Sequence, residues 1–121
     1  MSIDDWLEES DRRARVEKRL AAALKRGFGL SLLDYRALRA VAAAEEGELR
    51  LRTLARVLDV NQSSITRMMP RLESLGYAYR DLCPDDNRGA YCVITEKGRE
   101  ASSAMAEVLD RTLSEPAAAL S

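Results

Sequence analysis

The stretch Val60–Gly76, VNQSSITRMMPRLESLG, decides the fold. Asn61 is a residue type that caps helix starts, and Gly76 is one that ends helices at a left-handed position. Between them the composition is split. Gln62, Ser63, Ser64, Thr66 and Arg67 crowd the first turns, although hydroxyl and amide side chains are mediocre helix formers. Met68, Met69, Leu72 and Leu75 give the second half a core-like character. Pro70 sits inside the helix, where it removes the hydrogen bond to the Thr66 carbonyl and crowds that carbonyl; a tolerated local bend is expected. A helix laid in the major groove of duplex DNA needs this split, because its N-terminal turns meet the bases and phosphates. Gln62 suits adenine, Arg67 suits guanine or a phosphate, and Ser63, Ser64 and Thr66 suit phosphates or base edges. The positive end of the helix dipole adds attraction for phosphate. Ser, Asn and Gln are also ordinary capping residues, so the flanking segments must decide.

Upstream, Leu54, Ala55 and Leu58 give an inward face to a short helix from about Arg52 to Leu58. The link Asp59-Val60-Asn61 places Asp59 where a turn often uses glycine, a conformation Asp tolerates. Two short helices joined this way form a helix-turn-helix signal. Downstream, the β-rich runs YAYRDLC and AYCVIT flank the loop PDDNRG, which is a hairpin pattern. Arg88 at its tip suits the minor groove, and Asp86 suits an ion pair that holds Arg88 or Arg80. The plainer account of that loop is a solvated turn with incidental charges.

Further out, residues 4–26 read as a long first helix, broken by Gly27 and Gly29. Ser31 with Asp34 makes a capping-box pattern for a second helix, on which Tyr35, Leu38, Val41 and Ala42 form an apolar stripe. Glu48–Leu51 alternates like a short strand. Thr95 suits the cap of a last helix, about Glu96 to Leu113, with Ala101, Ala104, Met105, Val108 and Leu109 on one face and Pro116 as its stop. The order is that of a winged helix-turn-helix: mainly α with a small β-hairpin wing (α+β), flanked by N- and C-terminal dimerisation helices. The expected organisation is residues 1–30 as the N-terminal dimerisation helix, 31–95 as the DNA-binding lobe and 96–121 as the C-terminal dimerisation helix, one domain overall.

The chain has 121 residues, 46% apolar and 32% charged, with a net charge of −1. Charge is uneven: Asp4, Asp5, Glu8, Glu9 and Asp11 precede a basic run, Arg12, Arg13, Arg15, Lys18, Arg19, Lys25 and Arg26, opposed by Glu17 alone. There is no histidine, which removes the commonest general base and most zinc sites, so no enzyme, metal or cofactor is expected. No run approaches the roughly 20 apolar residues of a membrane span. The acidic start lacks a signal peptide's features, and a cytoplasmic protein is expected. Trp6, Leu7, Leu20 and Leu24 on the first helix, with Met105, Val108 and Leu109 on the last, are more apolar surface than one small domain readily covers, which points to a homodimer interface.

With these elements in order, the sequence resembles the MarR family of bacterial transcription regulators over residues ~30–100. The segments that carry the resemblance are LSLLDYRALRAV, LRLRTLARVLDVNQSSITRMMPRLESLGYAYRD and PDDNRGAYCVITEKG. The resemblance implies that the helix Gln62–Leu75 is the recognition helix and that Pro84–Gly89 is the wing, with its Asp-x-Arg pattern met by Asp86 and Arg88. It implies a homodimer on a pseudo-palindromic operator in double-stranded DNA, usually a repressor, relieved in many members by small aromatic effectors or by cysteine oxidation. The expected DNA contacts are therefore Gln62, Ser63, Ser64, Thr66 and Arg67 near the bases, and Arg71 and Arg88 on the backbone or in the minor groove. An effector pocket would lie between the dimer helices and the DNA-binding lobe, near Trp6, Phe28, Tyr35 and Leu38; the plainer account of those aromatics is core. Redox-sensing members carry a reactive cysteine near the N-terminus, unlike Cys83 and Cys92, which flank the hairpin loop and read as small strand residues. The rival from another class is a winged-helix protein-interaction module, favoured by the acidic N-terminal segment.

Overall fold

The computed structural model describes residues 1–82 and 89–115. The element order is α1 (Ile3–Phe28), α2 (Leu32–Ala43), a 3-10 turn (Glu45–Gly47), β1 (Glu48–Arg50), α3 (Leu51–Leu58), α4 (Gln62–Ser74), β2 (Ala78–Leu82), β3 (Ala90–Ile94) and α5 (Glu96–Ser114). Among the described residues, five helices and one small antiparallel sheet make this the winged-helix class expected from the sequence. Two compact units form, Met1–Leu32 with Met105–Ser121, and Leu33–Ala104, so the division passes through α5. Cys83, Asp86, Arg88 and Pro116 lie outside the described residues.

In the first unit, α1 starts on a capping box. Ser2 Oγ accepts from the Asp5 N–H at 3.1 Å, and the Asp5 carboxylate accepts from the Ser2 N–H at 3.4 Å. Acidic residues in the first turn and Lys25 and Arg26 in the last complement the helix dipole. The helix runs through Gly27, contrary to expectation, and ends only where Gly29 turns left-handed at φ 70°. One glycine inside a last turn costs only about 1 kcal/mol, too little to stop a helix that tertiary packing holds. Arg19 Nη2 donates to the Thr112 carbonyl at 2.8 Å, which ties α1 to α5. Leu24, Leu30, Met105 and Leu109 are buried. Residues 1–15, by contrast, are all exposed, including Ile3, Trp6 and Leu7.

In the second unit, β3 is the central strand, in the order β1-β3-β2, with both pairings antiparallel. Ala78 pairs with Ile94 and Leu82 with Ala90, as a hairpin requires. The sequence did not reveal that β1 completes the sheet, with Leu49 opposite Cys92. Buried Leu54, Ala55 and Leu58 of α3 and Ile65, Met68, Met69 and Leu72 of α4 supply the core under the helix-turn-helix.

Two chain reversals fix α3 and α4. After α3, Asp59 takes the left-handed conformation (φ 58°, ψ 49°) expected of it, and Val60 N–H reaches back to the Ala55 carbonyl at 3.0 Å. After α4, Gly76 does the same at φ 78°, with Tyr77 N–H bonded to the Leu72 carbonyl at 2.9 Å. Both ends are Schellman motifs, with the N–H groups beyond the helix closing on its last free carbonyls. Thr95 then joins three segments. Its Oγ1 donates to the Gly76 carbonyl at 2.6 Å and accepts from the Gly98 N–H at 2.9 Å, capping α5 as expected. A Cβ at position 98 would collide with the Tyr77 carbonyl, so this close approach requires glycine.

Candidate nucleic-acid interface

The geometry of α4 follows from its 3.6-residue period. Ile65, Met68, Met69 and Leu72 fall on one side and are buried. Ser63, Arg67, Pro70 and Ser74, at i, i+4, i+7 and i+11, form a line down the opposite side, and all four are exposed. Gln62, Thr66 and Arg71 border that line and are also exposed, whereas Ser64 is half-buried at the margin. The five residues expected near the bases thus reach the surface of one helix end, Ser64 least.

The hydrogen bonds refine these assignments. Asn61 occupies the N-cap position in extended conformation (φ −68°, ψ 148°), but its side chain makes no capping bond, a correction to the sequence reading. The turn closes instead through Ser64 N–H to the Asn61 carbonyl at 3.0 Å, a main-chain bond that needs no side chain. Thr66 Oγ1 donates to the Gln62 carbonyl at 3.1 Å, so its hydroxyl keeps only acceptor capacity for a partner.

Arg71 is held more firmly than the sequence suggested. Its Nε donates to Asp34 Oδ2 at 3.0 Å and its Nη2 to Asp34 Oδ1 at 2.7 Å, a bidentate fork between α4 and α2. The Asp34 side chain is 1% exposed and that of Arg71 48%. The hydrogen bonds that Arg71 donates to Asp34, and the nearby carboxylate charge, raise the Arg71 pKa, while burial opposes them. Arg71 therefore has a structural partner in addition to any role at DNA. In the sequence Asp34 reads as the capping-box partner of Ser31, and nothing local marks its carboxylate as buried.

Arg80 Nε donates to Glu73 Oε1 at 3.2 Å, tying β2 to the last turn of α4. Both side chains are about one-third to two-fifths exposed, so the pair contributes little stability. Arg52 and Arg56, which the sequence reading left out of the interface, lie exposed at i and i+4 on α3, opposite Leu51, Leu54, Ala55 and Leu58. The first helix of a helix-turn-helix crosses the DNA backbone, so these two cations suit phosphates. Their spacing in LRTLARVL was legible.

The remaining expectations divide. Trp6 and Leu7 are exposed, Leu20 and Val108 are half-buried, and Leu24, Met105 and Leu109 are buried. Those last three are core within one chain and cannot offer open surface to a second; Ile3 and Leu113 are exposed and were overlooked. Trp6 and Phe28 stand near opposite ends of α1, about 33 Å apart at 1.5 Å per residue, so one chain cannot gather both into a single effector pocket. Cys92 is buried opposite Arg80 and Leu49, and burial pushes its thiol up to about 11, with Glu73 adding to the shift. Such a thiol is a poor nucleophile. No helix among the described residues is long and apolar enough to cross a membrane.

Comparison with known proteins agrees with this architecture. No curated protein matches the chain in sequence. Among solved structures, the chain is similar to Sco3205, a MarR family transcriptional regulator from Streptomyces coelicolor solved in complex with DNA. The identity is 26%, the TM-score 0.82, and the match covers 89% of this chain and 70% of that one. It is similar to AbsC from the same organism, also a MarR family regulator, at 25% identity and TM-score 0.80, covering 90% and 73%. It is also similar to the transcriptional regulator BldR from Sulfolobus solfataricus, at 29% identity and TM-score 0.76, covering 93% and 82%. A sequence model of the MarR family matches residues 28–89, the segment that holds α2, β1 and the whole helix-turn-helix. The chain belongs to the MarR family.

Proposed function

We propose that the chain is a cytoplasmic, sequence-specific transcription repressor that binds a pseudo-palindromic operator in double-stranded DNA as a homodimer, with release by a small aromatic ligand as its regulatory arm. The observation that carries the reading is the exposed line Ser63-Arg67-Pro70-Ser74 on α4, flanked by Gln62 and Thr66 and directly opposite the buried stripe of the same helix. Its polar N-terminal end faces solvent while its apolar side docks on the core, as a helix entering the major groove requires. The DNA-bound state of the similar Sco3205 supports it. The homodimer is supported by residues 1–15, which all stand exposed with Ile3, Trp6 and Leu7 among them.

Selecting bound duplexes from a random library tests the reading. A two-fold symmetric site is expected, with affinity falling by a log–log slope of about −0.9 for each phosphate neutralised. Arg67→Ala is expected to relax specificity at one position per half-site and to cost about 1–3 kcal/mol if it reads guanine. Arg88→Ala is expected to weaken all sites alike. Failure to enrich any sequence, with salt-independent binding, would leave the interaction-module reading in its place.

A further inference from the structure

We propose that Asp34 is a positioning residue for DNA binding: it clamps one edge of Arg71 so that the opposite edge of the same guanidinium is delivered to a backbone phosphate. The inference rests on the DNA-binding reading above and deepens it.

The geometry carries the step. The fork uses Arg71 Nε–H and one Nη2–H, at 3.0 and 2.7 Å. A guanidinium has five N–H donors in one plane, so both Nη1 hydrogens and the second Nη2 hydrogen point away from Asp34. Asp34 is buried and Arg71 is half exposed, so the clamped edge faces the protein and the free edge faces water. Arg71 also lies on α4 beside the exposed line that contains Arg67. A free arginine surrenders most of its rotamer freedom when it grips a phosphate. Here the carboxylate has already fixed the side chain before DNA arrives, which is preorganisation.

A purely electrostatic account predicts the opposite sign. Asp34 neutralises Arg71, so removing the carboxylate charge would strengthen attraction for DNA. Positioning predicts that removal weakens it. The measurement is the salt dependence of binding to a selected duplex for the wild type, Asp34→Asn and Arg71→Lys, with thermal unfolding as the check on folding. Arg71→Lys keeps a cation near the buried carboxylate but cannot span carboxylate and phosphate as a rigid fork.

Both variants are expected to lose one phosphate contact per protomer. The magnitude of the slope falls by about 0.9 for each contact, and affinity falls roughly fivefold per contact at 0.15 M salt. An unchanged or steeper slope for Asp34→Asn, or a wild-type slope for Arg71→Lys, overturns the proposal. If Asp34→Asn does not fold, Arg71→Lys decides alone. A wild-type protein that binds the duplex without salt dependence sinks the DNA-binding reading itself, a result distinct from variants that merely match the wild type.

Discussion

Arg71→Ala should be the most damaging surface substitution in the Leu33–Ala104 unit. The Asp34 side chain is 1% exposed and accepts two charge-assisted hydrogen bonds from Arg71 at 2.7 and 3.0 Å. Truncation takes this bidentate cation away from a buried carboxylate. Losing one partner of a buried pair costs about 3–5 kcal/mol. Arg71 itself is 48% exposed, so water follows the lost side chain and the lower end, about 3 kcal/mol, applies. That is a large part of the 5–15 kcal/mol that typically holds a domain together. For a chain of 121 residues it corresponds to a fall of roughly 12 °C in Tm. The assay is urea unfolding followed by circular dichroism, at one fixed protomer concentration so that association does not shift the midpoint. The double variant Asp34→Leu/Arg71→Leu should return to within about 1 kcal/mol of wild type, because apolar replacement removes the buried charge together with its partner. An Arg71→Ala protein within about 1 kcal/mol of wild type would refute the reasoning, since the carboxylate would then need no cation.

Three further outcomes are expected. Pro70 is exposed inside α4, so Pro70→Ala should restore the bond to the Thr66 carbonyl and raise stability by about 1–3 kcal/mol in urea unfolding; a destabilised variant would mean that the ring packs. Gly98→Ala, at a helical position where alanine ordinarily adds about 1 kcal/mol, should instead destabilise by about 2 kcal/mol or more, because the new methyl meets the Tyr77 carbonyl; a rise in Tm would contradict that approach. Burial pushes the Cys92 thiol up to about 11 from 9.0, so the folded chain holds that proton longer than the unfolded chain does. Stability is therefore full below pH 9 and should fall by on the order of 2–3 kcal/mol as pH rises to 11; Cys92→Ala should abolish that component, and identical pH profiles would refute it.

The residues that could be read in the sequence are those whose role is local. Asp59 and Gly76 were legible because left-handed turns select few residue types, and Thr95 because a helix cap lies within three residues of the N–H it serves. The composition split along α4 was legible because periodicity assigns faces without knowing the partner. Asn61 misled because a capping residue type permits a side-chain bond without compelling one. Gly27 misled because a helix end is set by the left-handed position, here Gly29, and not by the first glycine met.

What the sequence determined by itself was the order of elements and the face each presents, since capping, periodicity and turn chemistry act over a few residues. Only the tertiary structure decided which charges meet. Asp34 and Arg71 lie 37 positions apart, and nothing local distinguishes a capping Asp from a buried clamp. Likewise Leu24, Met105 and Leu109 became core while Ile3 and Trp6 stayed open, because burial depends on what the fold brings over a side chain, and that is a long-range property.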